Sequence, residues 1–506
     1  MAASPVRTYT LPAPVGGWDT REALADMPAK NAVIMDNWFP GTDKVTLRLG
    51  SAQHVTGLGG SVETLLEYTP LTGTGKLFGA RGGSIYDVST AGAVGAAVVT
   101  GKTNARWQQV QIGTAGGQFL LCMNGADAPL NFNGSAWATT PAITGPTASN
   151  LIWCNLHQRR LWVGEKESLT AWYLPVNSIG GAASSFSLAG VARLGGYIMA
   201  MGTWTRDAGD GVDDVAIFIT SEGEAIVYQG TDPASTATWS LTGVFRIGKP
   251  IGRRCMIKAG GDLVISTQDG YVNAASILTV DRSEVQRVAL SSQINKAVND
   301  SVRSFGDLFG WQPFLYPQGT MMIFNVPQSS SVVYQHVFNT LTGAPCRFTG
   351  VNALCWALLN DAAYFGSADG TVYKFDTGNS DNGSAINGDA LQAFNSFGVP
   401  GAVKRFGLVE PVFESIGNPN AALDLCTDYQ VKAPSGVAAP SPSSSALWGV
   451  AKWGIGTWGT AVQVYKGWRG VRGIGRTAAL RVRVSTTAAR PSWIGTNFTF
   501  TPGGAL

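Results

Sequence analysis

Seven times between residues 57 and 397 the chain repeats one phrase: an apolar or aromatic run, a polar turn, and a second run containing Val, Ile, Tyr or Phe. The phrases are Lys76–Val88, Gln118–Leu130, Arg160–Leu174, Val215–Tyr228, Asp262–Ala274, Thr320–Val337 and Ala363–Phe375. Each reads as a β-hairpin. The turn glycines set a period. Gly83 to Gly125 is 42 residues, Gly125 to Gly223 is 98, Gly223 to Gly270 is 47 and Gly270 to Gly370 is 100. The two long steps each hold one further hairpin turn near the midpoint, at Glu165–Ser168 and Ser329–Ser331.

That period matches a four-stranded blade. A single blade cannot bury both of its faces, and stacking blades in a ring buries both and leaves short edges. The expected fold is all-β: a β-propeller-like repeat of about seven hairpin or blade units, with an N-terminal arm and a C-terminal β platform. A β-sandwich pair or a β-helix gives a similar pattern. The 64 glycines fit many short strands joined by turns that need positive φ.

Three regions follow. Residues 1–56 read as an irregular arm with a first strand, broken by Pro12, Pro14, Pro28 and Pro40, with room for a short helix around Ala29–Asn37. Residues 57–397 form the ring, with a helical insertion near 283–305 whose Val285, Val288, Ile294, Val298 and Val302 fall at mostly three-to-four spacing. Residues 398–506 form a basic C-terminal β region. It holds strands at Lys404–Val412 and Ala422–Leu425, a Pro/Ser/Ala linker at Ala433–Ser445, and Trp448, Trp453 and Trp458 each before a Gly. Ala478–Val484 alternates cleanly, with Arg481 and Arg483 on one face, and Asn497–Thr501 is a candidate partner strand.

Charge is divided sharply. The last acid is Asp428, and nine basic residues follow it, so residues 1–428 carry a net of −6 and the tail +9. The two ends are therefore expected to meet different partners. Interleaved Trp448, Trp453, Trp458, Tyr465, Trp468 and Trp493 suit stacking on single-stranded nucleic acid, but docking on an acidic partner protein is the favoured reading of the tail.

Little here points to catalysis. Three histidines, His54, His157 and His336, have no companions at ligand spacing and read as structural or surface residues. There is no phosphate-binding GxxxxGK[ST] loop, and no cofactor or metal is expected. The six cysteines lack any CxxC pair and read as buried free thiols, as in a protein folded in a reducing cytoplasm. No signal peptide or membrane-spanning run is visible. Four aspartates lie between Asp207 and Asp214, more simply an acidic surface loop than a cation site.

Ser266–Gly270 and Ser367–Thr371 resemble the Asp-box turns of sialidase-type propellers, though Asp-Gly is favoured at any tight hairpin turn. They leave one enzymatic alternative, a propeller glycosidase or depolymerase acting on host surface polysaccharide. Its candidate carboxylates are Asp213, Asp214, Glu222 and Glu224.

Several stretches are similar to the tail nozzle (hub, or packaged-DNA stabilisation) proteins of short-tailed bacteriophages. They are Gly16–Arg21 (GGWDTR), Met27-Pro28, Asp36–Pro40 (DNWFP), Phe218–Pro233 (FITSEGEAIVYQGTDP), Ile251–Cys255 (IGRRC) and Gly260–Leu263 (GGDL). A weaker echo lies in the Arg-rich C-terminus. The resemblance implies a non-enzymatic structural protein of the virion tail, assembled in the host cytoplasm. It implies a homo-hexameric ring below the adaptor and portal, with tail fibres or spikes attached nearby. Such a ring continues the DNA channel, touches genomic double-stranded DNA non-specifically, retains the packaged genome and permits its ejection. The expected assembly or DNA-facing contacts are Trp18, Arg21, Arg469, Arg472, Arg476, Arg481 and Arg483.

Overall fold

The computed structural model describes residues 5–205, 214–279, 289–435, 440–441 and 462–503. The seven phrases are the seven blades of a β-propeller. Each supplies the second and third strands of an antiparallel sheet whose first strand precedes it in the chain. The first strands are Thr64–Tyr68, Gln108–Thr114, Leu151–His157, Ile198–Thr205, Met256–Ala259, Gln312–Tyr316 and Cys355–Leu359, in blades 1 to 7. They pack side by side around one axis, and the blade 7 strand returns to that of blade 1. Gly125, Gly223, Gly270 and Gly370 at the hairpin turns all have positive φ, which is why glycine stands there.

Separate apolar clusters fill the gaps between successive blades from 7 to 1 round to 4 and 5. Blade 3 meets blade 4 through Trp162, Phe218, Tyr228 and Trp239, with Trp162 and Trp239 stacked at 5.7 Å. Blade 5 has three strands, Met256–Ala259, Asp262–Thr267 and Gly270–Asn273. Among the described residues two α-helices follow it, α1 (Ala274–Thr279) and α2 (Asn295–Phe305). The expected helical insertion is thus present from 295 to 305, with Val298 and Val302 buried, while Val285 and Val288 lie outside the described residues.

The ring is closed by a strand from ahead of blade 1. Ser51–Thr56 pairs antiparallel with Val372–Phe375 and completes blade 7. The segment leading into blade 1 is thereby clasped to blade 7.

The segment before it is no free arm. Arg7–Pro12, Asn31–Asp36, Trp38–Pro40 and Val45–Leu47 interleave with the C-terminal strands to build the platform. One platform sheet runs Asn31–Asp36, Ile386–Gln392, Ala478–Thr486, Ala422–Thr427. The other has Ser492–Pro502 beside Lys404–Ser415, with Arg7–Pro12 and Arg469–Gly475 outside them. Trp38, Phe413, Val482, Val484, Trp493 and Phe498 from the two sheets share one core. Asp36 pairs with Arg347 of blade 6, so the first platform sheet is continuous with that blade.

Two local expectations are corrected. Residues 31–36 are a strand, not a helix. A register shift between Ala32 and Ile34 turns both Ala32 and Met35 inward, which imitates helical spacing in the sequence. Asn497–Thr501 belongs to a strand that pairs with Lys404–Ser415 and Arg7–Pro12, not with Ala478–Val484. Its inward Phe498 and Phe500 pack on Phe397 instead.

Candidate functional site

Seven first strands enclose an axial cavity of about 940 Å³. Its wall is mixed, with Gln108, Gln109, Asn155 and Gln312 beside Trp107, Met201 and Trp356 among the lining residues. One mouth, where the first strands begin, is crossed by arginine. Arg254, just ahead of blade 5, donates to the Glu63 carbonyl (3.0 Å), the Thr64 hydroxyl (2.5 Å) and the Trp107 carbonyl (3.2 Å), on the far side of the ring. Burial lowers its pKa, against the attraction of Cys355 and Glu63. Arg253 lines the same cavity. In the sequence these two arginines stand out only within the IGRRC phrase. The usable signal was a doubled arginine directly before a blade's first strand.

The expected contact residues fall into three groups. Trp18 is buried on the strand Gly17–Trp18, with the Arg347 guanidinium 5.4 Å from its ring centroid and His336 at 5.8 Å. It is a core residue, so its place among the contacts is corrected. Arg481 and Arg483 are corrected likewise. Arg481 forks onto Asp389 (2.8 and 2.6 Å), and Arg483 meets Asp424 at 3.0 Å. Both strands flanking Ala478–Thr486 carry an acid diagonal to the arginine, which neutralises it within the sheet. The Asp389 hydrogen bonds raise the Arg481 pKa.

Arg21 is exposed and pairs with Glu22 at 2.7 Å. Arg469, Arg472 and Arg476 are exposed on or beside the strand Arg469–Gly475. Arg469 caps the Ala421 carbonyl at 2.6 Å. Exposed Val464, Trp468 and Ile474 stand among these cations. Among the described residues, the strand Arg469–Gly475 is bonded on one side, to Lys404–Val409. At the opposite edge of the sheet, Arg7–Pro12 is solvent-exposed but for Leu11. Trp448, Trp453 and Trp458 and most of the Asp207–Asp214 loop lie outside the described residues.

Among the described glycosidase candidates, Asp214 does not converge with Glu222 and Glu224. Asp213 is outside the described residues. Asp214 starts the strand Asp214–Thr220, bonded to Thr205 at 2.6 Å, and lines the cavity. Glu222 and Glu224 lie beyond the other end of that strand, roughly 20 Å away at a strand's rise per residue. There Glu222 pairs with Lys249, and the buried Glu224 accepts the Arg193 and Leu194 amides. The pair separations of known glycosidases are below about 10 Å. In the Asp-box-like turn, Asp369 accepts the Thr371 amide and the Tyr373 hydroxyl, an ordinary turn-closing role.

All six cysteines are free, five of them buried. Burial pushes Cys154, Cys255 and Cys355 up to about 12, which keeps them as thiols. His157 and His336 are buried too, and burial pulls them down to about 4 and about 3. Among the described residues, no group of three or more His, Cys, Asp or Glu side chains is placed to hold a metal, and no helix is long and apolar enough to cross a membrane.

No family model and no curated protein matches the chain. Solved structures do. The WD40 β-propeller domain of Doa1 is 13% identical, with a TM-score of 0.39, covering 65% of this chain and 96% of that one. BBS1N, solved in complex with ARL6DN, is 12% identical at a TM-score of 0.43, covering 66% and 99%. The Cps50 (Swd1) β-propeller domain of Myceliophteria thermophila is 13% identical at 0.37, covering 60% and 93%. The chain is an all-β protein of the propeller class, and the closed order of its seven blades carries that assignment.

Proposed function

We propose that this chain is a structural subunit of a ring-shaped assembly, the tail nozzle of a short-tailed bacteriophage. In this reading copies of the chain, six by resemblance, surround the DNA path below the adaptor and portal, retain the packaged genome and release it into the host. The observation that carries the reading is the platform. Both ends of the chain are woven into it, and one of its sheets ends in two outward strands, Arg7–Pro12 and Arg469–Gly475. The second presents Arg469, Arg472 and Ile474 to solvent. Exposed backbone edges and mixed apolar and cationic side chains are what a subunit uses to pair with its neighbours and with phosphates.

The axial cavity constrains this proposal. Arg254 spans one mouth, and a duplex does not pass through a channel that one arginine side chain crosses. The DNA path therefore lies between copies, with each propeller as a stiff wall element beside it. Electron microscopy of the purified chain, alone and mixed with the adaptor, tests the reading. A ring of several copies is the expected result. A particle that stays monomeric in both conditions would sink the proposal.

A further inference from the structure

Three arginines meet at the crossed mouth of the propeller axis. Arg106 stands ahead of the first strand of blade 2, and Arg253 and Arg254 ahead of that of blade 5. Phe309, ahead of blade 6, holds two of them, with the Arg106 and Arg254 guanidinium carbons 4.4 and 5.2 Å from its ring centroid. The three acceptors of Arg254 are two carbonyls and a hydroxyl, all neutral. Glu63 is the carboxylate in contact with the cluster, and it is engaged by Arg106 Nε at 3.1 Å. Arg253 makes no hydrogen bond or ion pair with a described residue. Its Nη1 lies against Gly125, where a Cβ would stand 3.1 Å away. So the mouth holds three cations against one carboxylate, and the Arg253 guanidinium has no hydrogen-bond partner among the described residues. The amide of Gln108 lines the cavity beside them.

We propose that this mouth binds a small multivalent oxyanion, a phosphate or a polycarboxylate, with Arg253 as the forked donor and Arg254 and Arg106 as a fixed positive field. A guanidinium presents parallel N–H groups that match two oxygens of such an anion. The surroundings agree: loss of water and the neighbouring Arg106 charge lower the Arg253 pKa, with Tyr197 opposing, so the site gains from a bound negative charge. The site stands independently of the ring assembly, since it is complete within one chain.

Calorimetric titration of the full chain with inorganic phosphate, and in a second arm with citrate, tests this at two temperatures and at an ionic strength fixed by chloride. Saturable binding of at least one anion is expected. Arg253→Gln should weaken it ten-fold or more and Arg253→Lys by less, because lysine keeps the charge and loses the fork. Arg405→Gln, exposed on the platform, should leave binding unchanged. Saturation by phosphate alone assigns a phosphate site, and by citrate alone a carboxylate site. No saturable binding in either arm overturns the proposal. So does unchanged affinity in an Arg253→Gln chain with native circular dichroism, a usable variant because Arg253 bonds no described part of the fold.

Discussion

Arg48 uses all five of its guanidinium protons. It donates to Asn37 Oδ1, to the carbonyls of Leu49 and Thr349, and twice to Asp381. It is 1% exposed and sits where platform, blade 6 and blade 7 meet. Asn37 is its partner for a backbone reason as well: its φ of 61° lies in the left-handed region that asparagine tolerates. The DNWFP phrase stood out in the sequence only through a resemblance, and its structural purpose was not legible there. Its partners Arg48, Thr349 and Asn387 are up to 350 residues away along the chain. Removing one side of a buried ion pair leaves the other uncompensated, so Arg48→Met should cost about 3–5 kcal/mol. Urea unfolding of the variant checks this, and a loss below about 1 kcal/mol would mean the network is dispensable.

The buried histidines give a pH dependence at the same scale. His157 and His336 have folded pKa values of about 4 and about 3, below the ordinary 6.5. In that window the unfolded chain binds more protons than the folded one, so stability rises with pH. It is fully present above pH 6.5 and is lost as pH falls toward 4 and then 3. Thermal melting of His336→Gln and the wild type between pH 7 and 4 should show a shallower fall for the variant. Parallel curves would refute the assignment.

Strands were easier to read than their partners. The alternation in Ala478–Val484 announced a strand with Arg481 and Arg483 on one face, and both statements hold. What the alternation could not announce was Asp389 and Asp424, 92 and 59 residues upstream of the arginines they neutralise. Acid-free sequence around a cation says nothing about acids on the next strand. That leaves Arg469, Arg472 and Arg476 as the exposed members of the expected set in the tail. If the assembled ring touches DNA through them, changing all three to Gln should lower the salt slope of log K by about 2.7, at about 0.9 per phosphate contact. An unchanged slope would assign these residues to protein contacts.

In the sequence the clasp strand Ser51–Thr56 reads as part of the arm, because nothing local distinguishes a strand that closes a ring from one that begins it. Val55 is 1% exposed and stands opposite Val372. Val55→Pro removes a donor from the ladder and should open blade 7. Hydrogen exchange would then accelerate at Val372–Phe375 before any other blade. Uniform exchange across all blades would show that the clasp is not the weak point of the ring.

At the scale of the molecule, the seven-fold hairpin repeat was the most legible feature, since each hairpin is local and its period is written in the turns. The platform was the least legible, because apart from the hairpin of Trp38–Pro40 with Val45–Leu47 its strands pair with partners far away along the chain. Arg7–Pro12 meets Ser492–Pro502, and Asn31–Asp36 meets Ile386–Gln392. A boundary near residue 397 consequently cuts through a single core. It would take away the strands that cover Met35, Trp38 and Leu391, each now at 0% exposure. It would also strip the continuation of the blade 6 sheet beyond Ile386–Gln392. Shared burial of this kind makes ring and platform one cooperative unit rather than two domains joined by a linker. A chain ending at residue 397 should therefore fail to give a cooperative thermal transition, although every blade is encoded within it. Calorimetry decides the matter. A soluble 1–397 chain that melts in one sharp step near the full-length temperature would show that the propeller folds without its platform.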